Sequence, residues 1–230
     1  MTIQIGHSSI DERGKAKGGI SGDQTGKEVF TRNWYDGGWG FLARARDPEI
    51  AEKIAGAAAA GCANVCIGYD QNQRNTLLNR AKAVNWDLAR IIKNCECDCS
   101  SFVTCCVQAS GIGVWSGGNA PTTATLRAAL EETGAFEILS ETRYLAGADC
   151  LRRGDILVRP KTAKRGGHTV IVLSDSEPEY LIHTVVRGNS LWAIARKYLG
   201  NGNRYKEIME LNGLETTLIH AGQKLKIPKE

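Results

Sequence analysis

The sequence predicts an α+β fold, a large domain followed by a small β-α-α-β module. Three observations carry that reading. Helical patterns crowd residues 47–134, and strand-like runs begin only at residue 152, so there is no βαβ alternation. The last fifty residues then give strand, helix, helix and strand in turn, after the polar, proline-bearing stretch "DSEPEY" (175–180). At 230 residues, 42% hydrophobic and 23% charged, the chain has room for one large core and one small one.

The region before Arg46 is rich in glycine and polar residues, and its "GDQTGKE" and "FTRNWYDGGWGF" segments predict loops and short strands. A helix should follow over 47–61, with Asp47 as N-cap, Pro48 in the first turn and Gly61 as the stop. "NQRNTLLNRAKAV" (72–84) reads as a second helix and "WDLARIIKN" (86–94) as a short third. "DCSSFVTCCVQASG" (98–111) is a fourth, capped by Asp98, and "TTATLRAALEETG" (122–134) a fifth, closed by Gly134. "RRGDILVRP" and "GGHTVIVLSD" are the strands. In the terminal module, "HTVVRG" is a strand, "NSLWAIARKYLG" a helix capped by Asn189 or Ser190, "NRYKEIMELNG" a second helix and "QKLKIP" a final strand.

The formal charge is +4, and all of it lies at the C-terminus. From Leu181 onward there are eight Lys/Arg against four Asp/Glu, while the rest of the chain balances at 21 of each. Such a module suits an anionic surface, although a solvated, mildly basic domain would look the same. No apolar run approaches the roughly 20 residues of a membrane span. "MTIQIGHSSIDERGKAKGG" has neither the basic nor the apolar region of a secretory signal, so synthesis in a reducing cytosol is expected.

That expectation bears on "CECDCSSFVTCC" (95–106), which holds five of the eight cysteines. Disulfides are disfavoured in such a compartment. Cys62, Cys66, Cys95 and Cys97 could in principle hold a metal, but the C-x-C-x-C spacing and the lack of a nearby histidine fit zinc poorly. Cys105 and Cys106 read as small buried hydrophobes within a helix. Cys99 differs. In the first turn after an Asp98 cap, unpaired N–H groups and the helix dipole favour a thiolate there, as a nucleophile requires. His183 and His220 fall in the terminal module. His168, at the start of an apolar strand after two glycines, is therefore the expected base, with His7 as backup base or substrate contact.

"DCSSF", "RRGDILV" and "GGHTVIVL" together resemble the NlpC-type cell-wall cysteine peptidases and the related CHAP amidase/peptidases. The resemblance implies a papain-like domain of helices packed on an antiparallel sheet, with Cys99 as nucleophile, His168 as general base and Asp155 as a structural turn residue. Family members usually orient the histidine from the following strand. Here only "SDSEPEY" follows, which leaves Asp175 as the nearest third member, with the N-terminal segment or a simple dyad as alternatives. "GHSS…GDQTGKEV", "GYDQNQRNTL" and "APTTATLR" resemble clostridial phage endolysins, which implies that His7, Asp23, Gln24, Tyr69 and Asp70 line a substrate groove.

"HTVVRGNSLWAIARKYLG" and "IMELNGLETTLIHAGQKLKIP" resemble a LysM domain, a binder of N-acetylglucosamine-containing glycans. Its groove would be formed by Gly188, Asn189, Ser190, Leu191, Asn212, Leu214 and Ile219. The implied layout is a hydrolase domain over 1–176, a linker over 177–181 and a LysM domain over 182–229.

The expectation is a monomeric peptidoglycan hydrolase, needing no metal or cofactor and no nucleic-acid or membrane partner. It would act on the wall after release through a pore or by lysis. An endopeptidase is expected, with N-acetylmuramoyl-L-alanine amidase as the alternative. A non-catalytic wall-binding protein, and a thiol-redox or metal protein built on Cys95 and Cys97, are the rivals from other classes.

Overall fold

The first three strands come from the glycine-rich N-terminal region, where alternating apolar residues recur between turns: β1 (Gln4–Ser8), β2 (Val29–Asn33) and β3 (Phe41–Ala45). They belong to a computed structural model that describes residues 2–175 and 180–228, in two units, Met1–Ser176 and Glu177–Glu230.

Helix α1 (Pro48–Ala63) starts where the sequence places it, with the Asp47 carboxylate accepting the Glu49 N–H. It runs two residues past Gly61, the expected stop. Gly61 is instead a close-approach point, because a Cβ there would overlap the rings and methyls of Phe102 and Leu88. β4 (Ile67–Tyr69) and α2 (Thr76–Ala83) follow. The helix expected over 86–94 is only a 3₁₀ turn, Leu88–Arg90, held by the Asp87 side chain. Beyond it the chain extends into β5 (Cys95–Cys97), a strand unforeseen from the sequence, which pairs in parallel with β4. Then come α3 (Cys99–Ala109), α4 (Leu126–Glu132), β6 (Phe136–Leu139), the single turn α5 (Thr142–Leu145), β7 (Ile156–Arg159) and β8 (His168–Val172).

Six of these strands form one antiparallel sheet in the order β2-β1-β8-β7-β3-β6. Its two faces are both buried. On one, Phe41, Ala43, Ile156, Val158 and Ile171 pack against α1, α2 and α3 through Ile54, Ala58, Leu78, Phe102, Val103 and Cys106. On the other, Ile5, Leu42, Leu157, Val170 and Val172 are covered by Trp39 and Leu151, with Trp34, Tyr35 and Tyr144 alongside. The unit is α+β, as expected.

Asp155, at the mouth of β7, ties that strand to its neighbour β3. Arg44 grips it with two bonds, Nε to Oδ1 at 2.9 Å and Nη2 to Oδ2 at 2.7 Å, and also donates to the Cys150 carbonyl. Burial pushes the Asp155 carboxyl upward and Arg44 draws it back down.

The second unit consists of β9 (Tyr180–Thr184), α6 (Leu191–Leu199), α7 (Tyr205–Leu211) and β10 (Lys224–Pro228), with β9 and β10 antiparallel. Of the expected 177–181 linker, 177–179 lie outside the described residues. Tyr180 and Leu181 are strand, paired with Pro228 and Ile227. Ser190 is the cap of α6, accepting the Ala193 N–H.

Asp155→Ala strands the buried Arg44 charge and should destabilise the first unit by about 3–5 kcal/mol. Urea denaturation followed by near-ultraviolet dichroism would read this as a fall in midpoint, and no change would deny the ion pair its structural role.

Candidate active site

Cys99 is the first residue of α3. The Asp98 carboxylate accepts the Ser101 N–H at 2.7 Å, and the Ser101 hydroxyl accepts the Asp98 N–H at 2.8 Å, a closed capping box. Arg74 pins the cap from outside, donating to Asp98 Oδ2 at 2.6 Å, to Ser100 Oγ, and to the carbonyls of Ala120 and Pro121. The helix start is thus tied through the Arg74 side chain to the Ala120–Pro121 backbone. Helix α3 packs on β8 and β1.

His168 opens β8, directly across from Arg159 on β7. The next residue, Thr169, turns to the helical face, and its N–H faces the Cys99 sulfur, as does that of Ser100. The thiol therefore lies at the end of β8 where His168 begins, while the alternation along the strand turns the imidazole toward His7 and Trp39. His7 on β1 stands on the same face as His168, with ring centroids 4.8 Å apart and an edge-to-face geometry. Trp39 stacks on the other side of His168 at 6.1 Å. Tyr35 reaches His7 Nε2 with its hydroxyl at 3.4 Å, and Phe30 lies edge-on to His7. His7 Nδ1 and His168 Nε2 are buried, and neither has a hydrogen-bond partner among the described residues.

Electrostatics corrects the sequence reading of Cys99. The helix terminus alone predicts a depressed thiol pKa. Cys99 is only 8% exposed, and burial, followed by the adjacent Asp98 charge, pushes it up to about 12. The N–H groups of Thr169 and Ser100 and the Arg74 charge oppose this without overcoming it. Burial lowers His168 to about 3, with His7, Arg159 and Arg32 adding to the shift. Burial, then Arg32, lowers His7 to about 4. At rest the thiol and both imidazoles are neutral.

The other expected site residues divide. His7 is in the site, and the buried Tyr69 lies within electrostatic reach of Cys99, its pKa raised by burial first and by that thiol second. Asp175 is not in it. His168 begins β8 and Asp175 lies three residues beyond its end, roughly 20 Å away along an extended chain. Its carboxylate accepts the Arg153 N–H at 3.0 Å. Asp23, Gln24 and Asp70, expected in the groove, have their polar atoms engaged by backbone groups. Asp23 accepts the N–H groups of Thr25, Gly26 and Glu28, Gln24 donates to the carbonyls of Ser21 and Gly22, and Asp70 accepts the N–H groups of Gly18 and Asn72.

Cys62, Cys66, Cys95, Cys97, Cys99, Cys105 and Cys106 are free thiols. Cys95, Cys97, Cys105 and Cys106 line the core between β5 and α3, and Cys97 meets Ser8 Oγ and the Gly68 carbonyl, both at 3.4 Å. Among the described residues no group of three or more Cys, His, Asp or Glu is arranged to hold a metal ion.

Sequence reasoning missed Arg74, Tyr35, Trp39 and Arg159. The aromatic run "FTRNWYDGGWGF" was a usable signal, because its glycines let Trp39 fold back. A Cβ on Gly37 would strike the indole.

In the second unit, the loop after β9 and the loop before β10 meet through Val185 N–H to the Gln223 carbonyl and Gly222 N–H to the Val185 carbonyl, both 2.8 Å. Gly188 has φ +90°, which permits the turn that Asn189 Oδ1 closes on the Val186 N–H and His183 Nε2. Asn212 binds both the N–H and the carbonyl of Lys226. Leu191 is core rather than groove, Leu214 and Ile219 pack partly against that core, and Ser190 serves as cap.

Comparison with known proteins agrees with two modules. The family described as "Endolysin-like domain" matches residues 5–179, and the family "LysM domain" matches 183–228. Two curated relatives, both "N-acetylmuramoyl-L-alanine amidase sle1" from strains of Staphylococcus epidermidis, are 49% identical over 55 residues, 24% of this chain. The chain spans 16% of the length of these relatives. No solved structure matches.

A thiol raised to about 12 is protonated throughout the neutral range. Alkylation of Cys99 by iodoacetamide, followed by peptide mass spectrometry, should therefore accelerate about tenfold per pH unit from pH 7 to 10 without levelling. A plateau below pH 8 would mean a preformed thiolate.

Proposed function

The chain belongs to the endolysin-like domain family, and from that premise we propose that it is a peptidoglycan hydrolase cleaving an amide bond of the wall's stem peptide, tethered to the wall glycan by its LysM domain. The observation that carries the reading is Cys99 at the capped start of α3, set against the His168 end of β8. A thiol on a helix start beside a histidine on a strand is the papain-like arrangement.

In this reading Cys99 is the nucleophile and His168 the general base. Because both are neutral at rest, the thiol proton passes to His168 as sulfur attacks the carbonyl carbon. The backbone N–H of Cys99 at the helix start receives the oxyanion. The C–N bond then breaks and His168 returns its proton to the leaving amine; water, deprotonated by His168, attacks the acyl carbon, the C–S bond breaks, and His168 gives that proton back to the Cys99 sulfur. The proton balance closes without a metal. Asp175 is too remote to orient His168. His7 takes that part, pressed against the imidazole from β1 and held by Tyr35. It is a positioning residue.

Cleavage within the stem peptide is the reading we favour. The muramoyl–L-alanine bond is the alternative, favoured by the 55-residue likeness to the staphylococcal amidases. LysM tethering raises the local concentration of substrate on an insoluble polymer.

Purified cell walls should lose turbidity with the wild-type chain, and Cys99→Ser and His168→Ala should each slow this by at least about a hundredfold. His7→Ala should lower kcat on soluble muropeptides more than it raises KM. Mass spectrometry of the products identifies the bond. Equal clearing by Cys99→Ser would remove the nucleophile assignment, and binding without clearing by the wild type would leave a non-catalytic wall-binding protein.

A further inference from the structure

Three arginines ring the His168 side of the site without an acidic partner. Arg159, directly across from His168, donates Nε to the Gly166 carbonyl at 3.0 Å and Nη1 to the Gly37 carbonyl. Both acceptors are neutral, so the guanidinium is held rigidly while its charge stays uncompensated. Arg165, on the loop between β7 and β8, lies over Gly38, where any side chain would collide with it. The two cations repel each other, which helps to depress Arg159 below its ordinary value after burial. Arg32 on β2 sits 4.7 Å above the Tyr35 ring.

No acidic side chain among the described residues pairs directly with them. Among the described residues none of the three arginines forms an ion pair within 4.0 Å, whereas Arg13, Arg44, Arg74, Arg127, Arg153 and Arg204 all do. The acid on the intervening loop, Asp36, accepts the Gly38 N–H. Lys161 and Lys164 on the β7–β8 loop add further positive charge. Three like charges gathered at one edge of a site, two of which disfavour the protonated form of His168, suit an anionic ligand.

We infer that Arg159 and Arg165, with Arg32 at the edge, form a subsite for a substrate carboxylate close to the scissile amide. The hydrolase reading above supplies the chemistry of the ligand, a stem peptide whose residues carry free carboxylates. Arg159 lies within electrostatic reach of Cys99 as well as His168, so the recognised carboxylate belongs to a residue flanking the bond that is cut. A γ-linked glutamyl residue with a free α-carboxylate is the group of that chemistry. Its amide would leave the arginines unpaired.

Binding is measured separately from turnover. The full chain carrying Cys99→Ala is titrated calorimetrically with a γ-D-glutamyl stem tripeptide and with the same tripeptide amidated at the glutamyl α-carboxylate. The free acid should bind at least about tenfold more tightly, the worth of one charge-assisted bond pair. Adding Arg159→Gln or Arg165→Gln should bring the two affinities together. Arg165 is exposed and makes few contacts, so its variant carries the test should Arg159→Gln fail to fold. Equal affinities, a preference that survives both substitutions, or no binding of either peptide would overturn the subsite. Wild-type chain that cleaves neither peptide while the binding preference stands would instead overturn hydrolysis and leave the subsite in place.

Discussion

The first turn of α3 is the constraint on which the site depends. A cysteine at a helix start is useful only if the helix start is immobile, and here it is held twice over. Asp98 and Ser101 close the cap internally, and Arg74 ties that cap to the Ala120–Pro121 segment. Arg74 is nearly as buried as the carboxylate it grips. Losing it would leave Asp98 next to Cys99 with no counter-charge, raising the thiol further. Position and electrostatics thus depend on the same four-bonded guanidinium.

Burial sets the chemical state of what that frame holds. The helix dipole contributes only a fraction of a kcal/mol to about 2 kcal/mol in partly buried geometries, less than the desolvation of a fully enclosed thiolate. The same desolvation acts on His168 and His7 in the opposite chemical direction, toward the neutral base. In the proposed mechanism, a thiol and an imidazole that are both neutral would move the proton during attack rather than before it. On that proposal the site would resemble a hydroxyl–imidazole pair in its proton traffic, with sulfur as the nucleophile.

Much of this was legible in the sequence, for physical reasons that can be named. Asp47 and Asp98 were readable as caps because capping is local, and the terminal β-α-α-β order follows from short-range pattern alone. The failures are all long-range. Gly61 reads as a helix stop until Phe102 is seen lying against it. Asp175 is near His168 in sequence but at the wrong end of its strand, whereas His7, 161 residues away, is brought beside it because β1 rather than a following strand pairs with β8. Asp23 and Asp70 have the composition of groove residues, yet loops dense in glycine need their carboxylates to satisfy backbone N–H groups.

The arginine rim and the neutral histidine are two sides of one electrostatic arrangement. Arg159 and Arg32 both act to lower the proton affinity of His168. A base so depressed is a weak proton acceptor, which is a poor property during attack by a thiol raised to about 12. A carboxylate seated on those arginines would cancel part of their field, because opposite charges at close range in a desolvated site interact strongly. His168 would then gain basicity only while the anion is present. Occupancy of the subsite and competence of the base become one linked equilibrium, so that a ligand recognised beside the scissile bond also prepares the proton acceptor that the bond's cleavage requires.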